Sequence, residues 1–309
     1  MGRFVRGEFR NLGQAEKFPM NPIHRFLFAL FLLGVLFPAQ AQRYVPDETS
    51  LPVIHHPGYS LAYDEAVEQA AWVAYCLTAG ETVARVERSN DFRSDPSVRS
   101  GSAAHSDYKG SGYDRGHLAP AADLAWSSAS MSASFFYSNM SPQLPGFNRG
   151  IWKKLEQLMR SWARAYDSVY VVTGPLYLEQ RGSIGPNAVR IPSHYFKAVL
   201  TAAANKRKAI AFVLPNASSK ASLSSFALPV DRLENYLDRD LFAFLPDGEE
   251  QALESTLCIP CWSWTATKGS SAPRTKGTTA AAQCRGTTQK GARCKRRTKN
   301  ASGFCWQHE

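Results

Sequence analysis

Between residues 152 and 175 the spacing of apolar side chains changes from a helical period to a strand-like one. Steps of three and four residues, which mark one face of an α-helix, separate Trp152, Leu155, Leu158, Met159, Trp162 and Tyr166. The run from Val169 to Thr173 then follows without a polar interruption, which is typical of a buried strand, and Gly174-Pro175 ends it. The chain therefore contains both helices and buried strands.

Weaker patterns predict the remaining elements. They are strands at 195–201, 209–214 and 83–86, a short helix at 230–236, and a loop over 90–105. Residues 63–77 fit either a helix or a strand that ends at 72–76.

The first 41 residues have the pattern of a secretory signal peptide. Arg25 precedes an apolar run, Phe26 to Phe37, and Ala39-Gln40-Ala41 is a small-x-small cleavage site. A run of about 12 apolar residues is too short for a membrane anchor, which needs roughly 20. We expect cleavage after Ala41, a secreted or periplasmic protein, and no membrane association thereafter. A signal peptide starts more naturally at Met20, so residues 1–19 are consistent with an over-extended gene start.

Charge and cysteine are concentrated at the C-terminal end. The net charge is +10, yet residues 258–309 hold ten Lys or Arg against one Asp or Glu, and residues 42–257 hold 21 against 23. Five of the six cysteines lie in those last 52 residues. The predicted organisation is an extended N-terminal segment (42–60), a main domain (61–257), a linker (258–281) and a basic Cys/His-rich module (282–309).

The module suggests a zinc site. Three cysteines and one histidine can bind Zn²⁺ tetrahedrally, and the candidates are Cys284, Cys294, Cys305 and His308. Disulfide pairing, which an exported location would favour, and a module without defined structure are the alternatives. Cys258 and Cys261 are also placed to form a disulfide, with Cys76 as a third candidate partner. The basic residues of the tail are either solvated or bind polyanions.

The chemistry is predicted around the run from Asp114 to His117. Hydrolysis of a phosphodiester needs a base near neutral pH, which histidine supplies, and a cation to offset phosphate charge. Magnesium prefers oxygen ligands, and Asn139, Asn148 and Glu156 follow in sequence. Eight residues along a helix would place Asn148 and Glu156 on a similar side. Each also has a simpler interpretation: a structural histidine, a helix N-cap at Asn148, and a solvated carboxylate at Glu156.

Three motifs in this region resemble a known family. They are Tyr-Asp-Arg-Gly-His-Leu-Ala-Pro at 113–120, Phe-Tyr-Ser-Asn-Met-Ser-Pro-Gln at 136–143, and Phe-Asn-x-Gly-x-Trp-x-x-Leu-Glu at 147–156. Their order and spacing resemble the DNA/RNA non-specific endonucleases, which include Serratia-type and endonuclease G-like nucleases. The resemblance extends over roughly residues 60–255.

The resemblance implies a role for each matching residue. His117 would be the general base that activates water, and Asn148 the one direct protein ligand of a hydrated Mg²⁺, with Mn²⁺ or Ca²⁺ as substitutes. Glu156 would hold metal-bound water. Asn139 would orient the histidine or support the metal shell.

The family also uses an upstream arginine to offset phosphate charge. Arg88 is the best match, although the spacing to the other motifs is looser here, and Arg93 is a rival. Arg115, within the motif, would contact phosphate or support the loop.

The implied fold is α+β, of the ββα-metal (His-Me finger) type, with a central antiparallel sheet flanked by helices. The implied function is Mg²⁺-dependent hydrolysis of DNA and RNA that leaves 5′-phosphates. A homodimer is one possible oligomeric state. The alternatives are an inactive nucleic-acid-binding protein and a phosphodiesterase for other phosphate esters. Because the main domain has a net charge of −2, either local clustering of basic residues or the tail must attract a polyanion.

Overall fold

The computed structural model describes residues 45–46, 50–202, 207–267, 281–288, 291–298, 303–305 and 308. The predicted signal peptide at 1–41 lies outside these residues. No helix in the described part of the chain is both long and apolar enough to cross a bilayer.

The described residues form thirteen strands and five α-helices. The strands are β1 (Val53–His56), β2 (Tyr59–Asp64), β3 (Gln69–Thr78), β4 (Asp114–His117), β5 (Met140–Gln143), β6 (Ser168–Leu176), β7 (Ser183–Ile184), β8 (Val189–Arg190), β9 (His194–Thr201), β10 (Ala209–Pro215), β11 (Ala227–Leu228), β12 (Ala282–Gln283) and β13 (Arg297–Thr298). The helices are α1 (His105–Tyr108), α2 (Ser128–Ala133), α3 (Lys153–Ala165), α4 (Val230–Leu237) and α5 (Asp247–Glu254).

A seven-stranded sheet, in the order β1-β2-β3-β6-β9-β10-β11, forms the centre of the fold. Every neighbouring pair in it is antiparallel. Leu155 and Trp162 of α3 belong to the apolar core on one face of the sheet. Val230 and Leu233 of α4 belong to a separate core on the other face. The predicted α+β class, with an antiparallel sheet flanked by helices, is confirmed.

Strands β4 and β5 pair outside the large sheet, with His117 opposite Met140. An irregular helical turn, Phe147–Trp152, follows β5 and continues into α3, and Gly150 within it has non-helical φ and ψ angles of −102° and −111°. The hairpin and helix together make the ββα unit that the motifs predicted.

Two of the predicted elements differ in the structure. Residues 63–77 belong to two strands, since β2 ends at Asp64 and β3 begins at Gln69, so the helical alternative is wrong. Residues 83–86 form no strand. Their amide groups at Arg85 and Val86 both donate to the carbonyl of Ala125, which gives an irregular loop instead of a ladder. The extended N-terminal segment contributes the sheet-edge strand β1.

The beginning of the predicted linker packs against the main domain. Trp262 is 4% exposed, and its ring centroid lies 4.2 Å from that of Trp162 on α3. The Trp162 indole donates to the Ser263 carbonyl at 2.5 Å. A disulfide joins Cys258 to Cys261. Residues 258–267 are therefore part of the folded body, and 268–280 lie outside the described residues.

Candidate active site

A basic cavity of about 380 Å³ lies beside the β4 strand. Its lining residues are Arg88, Asn90, Phe92, His105, Tyr108, Lys109, Tyr113, Asp114, Arg115 and Asn148. Four of these carry basic side chains and only Asp114 carries a carboxylate. Basic residues thus cluster locally on a main domain whose net charge is slightly negative. Such a cavity attracts anions because its walls concentrate one sign of charge.

His117 lies at the end of β4 and is 9% exposed. Its ring packs edge-on against Phe135 at 5.0 Å and against Phe92 at 5.9 Å between centroids. The buried Nε2 atom has no hydrogen-bond partner among the described residues. Burial, with further contributions from the charges of Arg88 and Arg115, lowers the pKa of His117 to about 3. The imidazole is therefore neutral at physiological pH and can accept a proton.

The two arginines are held against the same two phenyl rings. The Arg88 guanidinium lies 4.7 Å from the Phe135 centroid, and that of Arg115 lies 3.8 Å from the Phe92 centroid. Arg88 also donates from Nε to Oδ1 of Asn90 at 2.8 Å. Stacking on aromatic faces orients a guanidinium while leaving its charge uncompensated.

Arg93 has a different environment from Arg88. Its Nη1 donates to the Asp91 carboxylate at 2.9 Å and to the Ser132 carbonyl at 3.0 Å. The guanidinium lies 4.0 Å from the Phe136 ring centroid, and Arg93 is not among the residues that line the cavity. Arg93 therefore ties the loop to α2, and Arg88 is the better candidate for a phosphate contact.

Asn148 lines the cavity and is oriented by Asp114. Its Nδ2 donates to Asp114 Oδ2 at 2.9 Å, while Arg149 donates to both oxygens of the same carboxylate at 2.8 and 2.6 Å. This bond identifies the nitrogen of the amide as the atom that faces Asp114. Within the described residues Oδ1 of Asn148 accepts no hydrogen bond. The side chain does not cap α3, and the break at Gly150 means that regular helical geometry does not relate Asn148 to Glu156.

Glu156 is half-buried on α3, beside a cluster of buried charges. Burial raises the pKa of Glu156, Arg160 and Lys197 oppose the rise, and Asp123 adds to it. Arg160 forms an ion pair with Asp123, whose carboxylate also accepts from the Tyr75 hydroxyl at 3.1 Å. Arg88 also interacts electrostatically with Glu156 and with His117. The structure thus places His117, Glu156 and Arg88 close enough to interact electrostatically, although only Arg88 of the three lines the cavity.

Sequence reasoning missed three residues of this cluster: Asp123, Arg160 and Lys197. Arg160 had a signal, because it follows Glu156 by four residues and must share its helix face. Lys197 interrupts a strand pattern and is fully buried, with Nζ 4.8 Å from the Trp152 ring centroid and without a hydrogen-bond partner among the described residues. Burial lowers the pKa of Lys197, and the Glu156 charge opposes that shift.

Asn139 is fully buried and its side-chain amide bonds the backbone. Its Oδ1 accepts from the Ala119 amide at 2.9 Å, and its Nδ2 donates to the carbonyls of Ala119 and Ser134 at 3.0 and 2.9 Å. Asn139 therefore fixes the segment that follows His117, and acts on the histidine through the backbone. Gly116 has a related role, since a Cβ there would lie 2.2 Å from the Gln143 side chain.

The structure also brings together the four predicted zinc ligands. One ligand atom from each of Cys284, Cys294, Cys305 and His308 lies within 4.8 Å of the others. None of the three cysteines is disulfide-bonded.

A ββα unit with a neutral histidine, two arginines and oxygen donors beside a basic cavity is typical of metal-dependent nucleases. The chain belongs to the DNA/RNA non-specific endonuclease family, whose model matches residues 38–250. The family resemblance is confirmed, and the matching relatives are nucleases by name.

Individual relatives agree with this assignment. The chain is 38% identical to mitochondrial endonuclease G of Homo sapiens over 191 residues, which cover 57% of this chain and 64% of the relative. It is 35% identical to the mitochondrial nuclease of Saccharomyces cerevisiae over 215 residues, which cover 62% and 65%. The chain therefore spans slightly under two thirds of these relatives. A crystal structure of an EndoG/EndoGI complex matches with a TM-score of 0.63 and 31% identity, covering 69% of this chain and 95% of that one.

The prediction of a secreted or periplasmic location is wrong. The human and yeast relatives are mitochondrial nucleases by name, which points away from export. An apolar run after a basic residue was insufficient to identify the destination, because targeting segments of different compartments share basic and apolar residues.

Proposed function

We propose that this protein is a Mg²⁺-dependent endonuclease that hydrolyses phosphodiester bonds of DNA and RNA without regard to sequence and leaves 5′-phosphate ends. The observation that carries the proposal is the unpartnered, buried Nε2 of a neutral His117 between two aromatic-stacked arginines. A base held next to uncompensated positive charge suits a reaction in which an anionic substrate must accept a nucleophile.

The basic side chains of the cavity favour contacts to phosphate groups over contacts to bases. Arg88, Lys109 and Arg115 offer charge to phosphate oxygens. Contacts of this kind fix the position of a nucleic acid but carry no information on base identity. Cleavage of both DNA and RNA with little sequence preference follows from such contacts.

The low pKa of His117 suggests how proton transfer is tied to substrate. With the cavity open to water, Arg88 and Arg115 help to keep the imidazole deprotonated. Phosphate oxygens that pair with these arginines offset their charge, so the pKa of His117 rises when substrate binds. His117 then takes a proton from the attacking water as that water forms a bond to phosphorus. The P–O3′ bond breaks, the leaving 3′-oxygen takes a proton from solvent water, and the 5′-phosphate product remains, while His117 returns its proton to solvent.

The oxygen donors present fit a magnesium ion. Asn148 offers an oriented Oδ1, and Glu156 offers a carboxylate, a small ligand set of the kind that Mg²⁺ uses while retaining water. A bound ion of this kind supplies positive charge to the phosphate and the leaving oxygen. Burial raises the pKa of Glu156, and the charges of Arg160 and Lys197 offset part of that rise. Mn²⁺ and Ca²⁺ suit the same oxygen donors.

The decisive test incubates the purified protein with plasmid DNA and with RNA, in Mg²⁺ and in EDTA. We expect cleavage of both in Mg²⁺, loss of cleavage in EDTA, and loss in His117→Ala but not in His55→Ala, which replaces an exposed histidine on β1. Cleavage in EDTA, or full activity of His117→Ala, would contradict the mechanism. Binding without cleavage by the wild type would favour an inactive binding protein, and activity restricted to small phosphate esters would favour a phosphodiesterase.

A further inference from the structure

The four side chains Cys284, Cys294, Cys305 and His308 have the spacing of a metal site. The Nδ1 atom of His308 lies 3.4 Å from Sγ of Cys284 and 3.4 Å from Sγ of Cys305, and the sulfurs of Cys294 and Cys305 are 3.9 Å apart. A tetrahedral Zn²⁺ with Zn–S near 2.3 Å and Zn–N near 2.05 Å places its ligand sulfurs about 3.8 Å apart and sulfur and nitrogen about 3.6 Å apart. A disulfide would require about 2.05 Å between sulfurs.

The surrounding backbone supports the sulfur and nitrogen atoms as ligands. Sγ of Cys284 accepts hydrogen bonds from the amides of Gly286 at 3.3 Å and Cys305 at 3.1 Å. Such bonds stabilise a thiolate, which is the form that binds metal. Nε2 of His308 bonds the Thr287 carbonyl at 2.9 Å, so Nε2 carries the proton and the Nδ1 lone pair faces the sulfurs.

The local fold is built to bring these residues together. Cys284 and Cys294 lie on opposite arms of a hairpin, because the Cys284 amide donates to the Arg296 carbonyl and the Cys294 amide donates to the Gly286 carbonyl, both at 2.8 Å. Gly286 leaves the space that the His308 ring needs, since a Cβ there would lie 2.3 Å from the ring. The three cysteines are at most 4% exposed, and among the described residues of the module Phe304 is the other hydrophobic residue that packs with them.

We propose that Cys284, Cys294, Cys305 and His308 bind one Zn²⁺ and that this ion holds the C-terminal module in its folded form. All four positions of the tetrahedron are filled by protein, which marks a structural site with no position for substrate. Because the described residues of the module bury little apolar surface besides the cysteines, metal binding would supply much of its folding free energy. The ion would present Arg285, Arg293, Lys295, Arg296 and Arg297 on one ordered hairpin.

The proposal is tested on the full-length protein by elemental analysis and thiol titration. After purification without chelator we expect about one zinc per chain, retained in Asn148→Ala and in Cys76→Ser, and lost in Cys294→Ser and in His308→Ala. Titration of the denatured wild type should find thiols at Cys76 and at all three module cysteines. Replacement of zinc by Co²⁺ should produce a thiolate-to-metal charge-transfer band that Cys294→Ser abolishes.

Two results would overturn the zinc site. One is a wild type that contains no zinc and has lost two thiols to a disulfide in the module. The other is zinc content that survives both Cys294→Ser and His308→Ala. Thiol counting needs no variant, so misfolding of a variant cannot obscure it, and neither measurement depends on nuclease activity.

Discussion

The structure predicts that His117 makes a contribution of its own to the pH-dependence of stability. Its pKa is about 3 in the folded protein and 6.5 in the absence of perturbation. Between these values the unfolded chain binds the proton and the folded protein does not, so stability is lost as the pH falls below about 6.5. A pH of 5 lies about 1.5 units below the pKa of the histidine in the unfolded chain. At about 1.4 kcal/mol per unit, the free energy of unfolding is therefore roughly 2 kcal/mol lower at pH 5 than at pH 8.

Urea denaturation at pH 8 and pH 5, in EDTA, measures this loss for the wild type, His117→Gln and His55→Gln. His117→Gln removes the titration, so its free energy of unfolding should fall by about 2 kcal/mol less over this range than that of the wild type. His55→Gln replaces an exposed histidine and should follow the wild type. Equal slopes for the wild type and His117→Gln would refute the claim that a neutral, desolvated imidazole is held at this position, and with it the proposed base.

Three further predictions address individual residues of the site. Arg88→Ala should lower kcat about 100-fold with little change in stability, whereas Arg93→Ala should lower the free energy of unfolding by about 1–2 kcal/mol and leave kcat within a few-fold of wild type; the opposite result would exchange their roles. Asn139→Ala leaves buried backbone groups unpaired and should cost roughly 3 kcal/mol or more in stability, measured by urea denaturation, and a neutral effect would contradict its anchoring role. Asn148→Ala should raise the Mg²⁺ concentration needed for half-maximal cleavage by about 10–100-fold, and an unchanged requirement would remove it from the metal site.

The sequence predicted the parts of the site that lie in continuous motifs. The run containing His117 and the helix that carries Glu156 were both identifiable, because a reactive side chain and its local element are close in sequence. The ββα arrangement came from the family resemblance and is confirmed by the pairing of β4 with β5.

Long-range features were not predictable in the same way. Phe92 and Phe135 are 43 residues apart, and only the fold shows that both pack against His117. Nothing in the sequence around Lys197 indicates that its ammonium group is buried near Glu156. The packing of Trp262 on Trp162 was also missed, since composition alone suggested that the chain had already entered a linker.

The net charge of the main domain does not describe the charge at the cavity. The main domain carries more acidic than basic residues, but several of its carboxylates are already paired: Asp123 with Arg160, Asp91 with Arg93, and Asp114 with Arg149. In the described part of the chain neither Arg88 nor Arg115 forms an ion pair; both stack on phenyl rings instead.

Each ion pair cancels one charge of each sign and leaves the net charge unchanged, while the two stacked arginines have no ion-pair partner within the described residues and contribute positive charge at the cavity. An anionic substrate meets the local field and not the net charge, because charges beyond about 8–10 Å are largely screened at physiological ionic strength. Burial keeps His117 deprotonated and the charges of Arg88 and Arg115 add to this effect, so we expect a phosphate that neutralises these charges to raise the pKa of the histidine. Substrate affinity and activation of the base thus depend on the same pair of guanidinium groups.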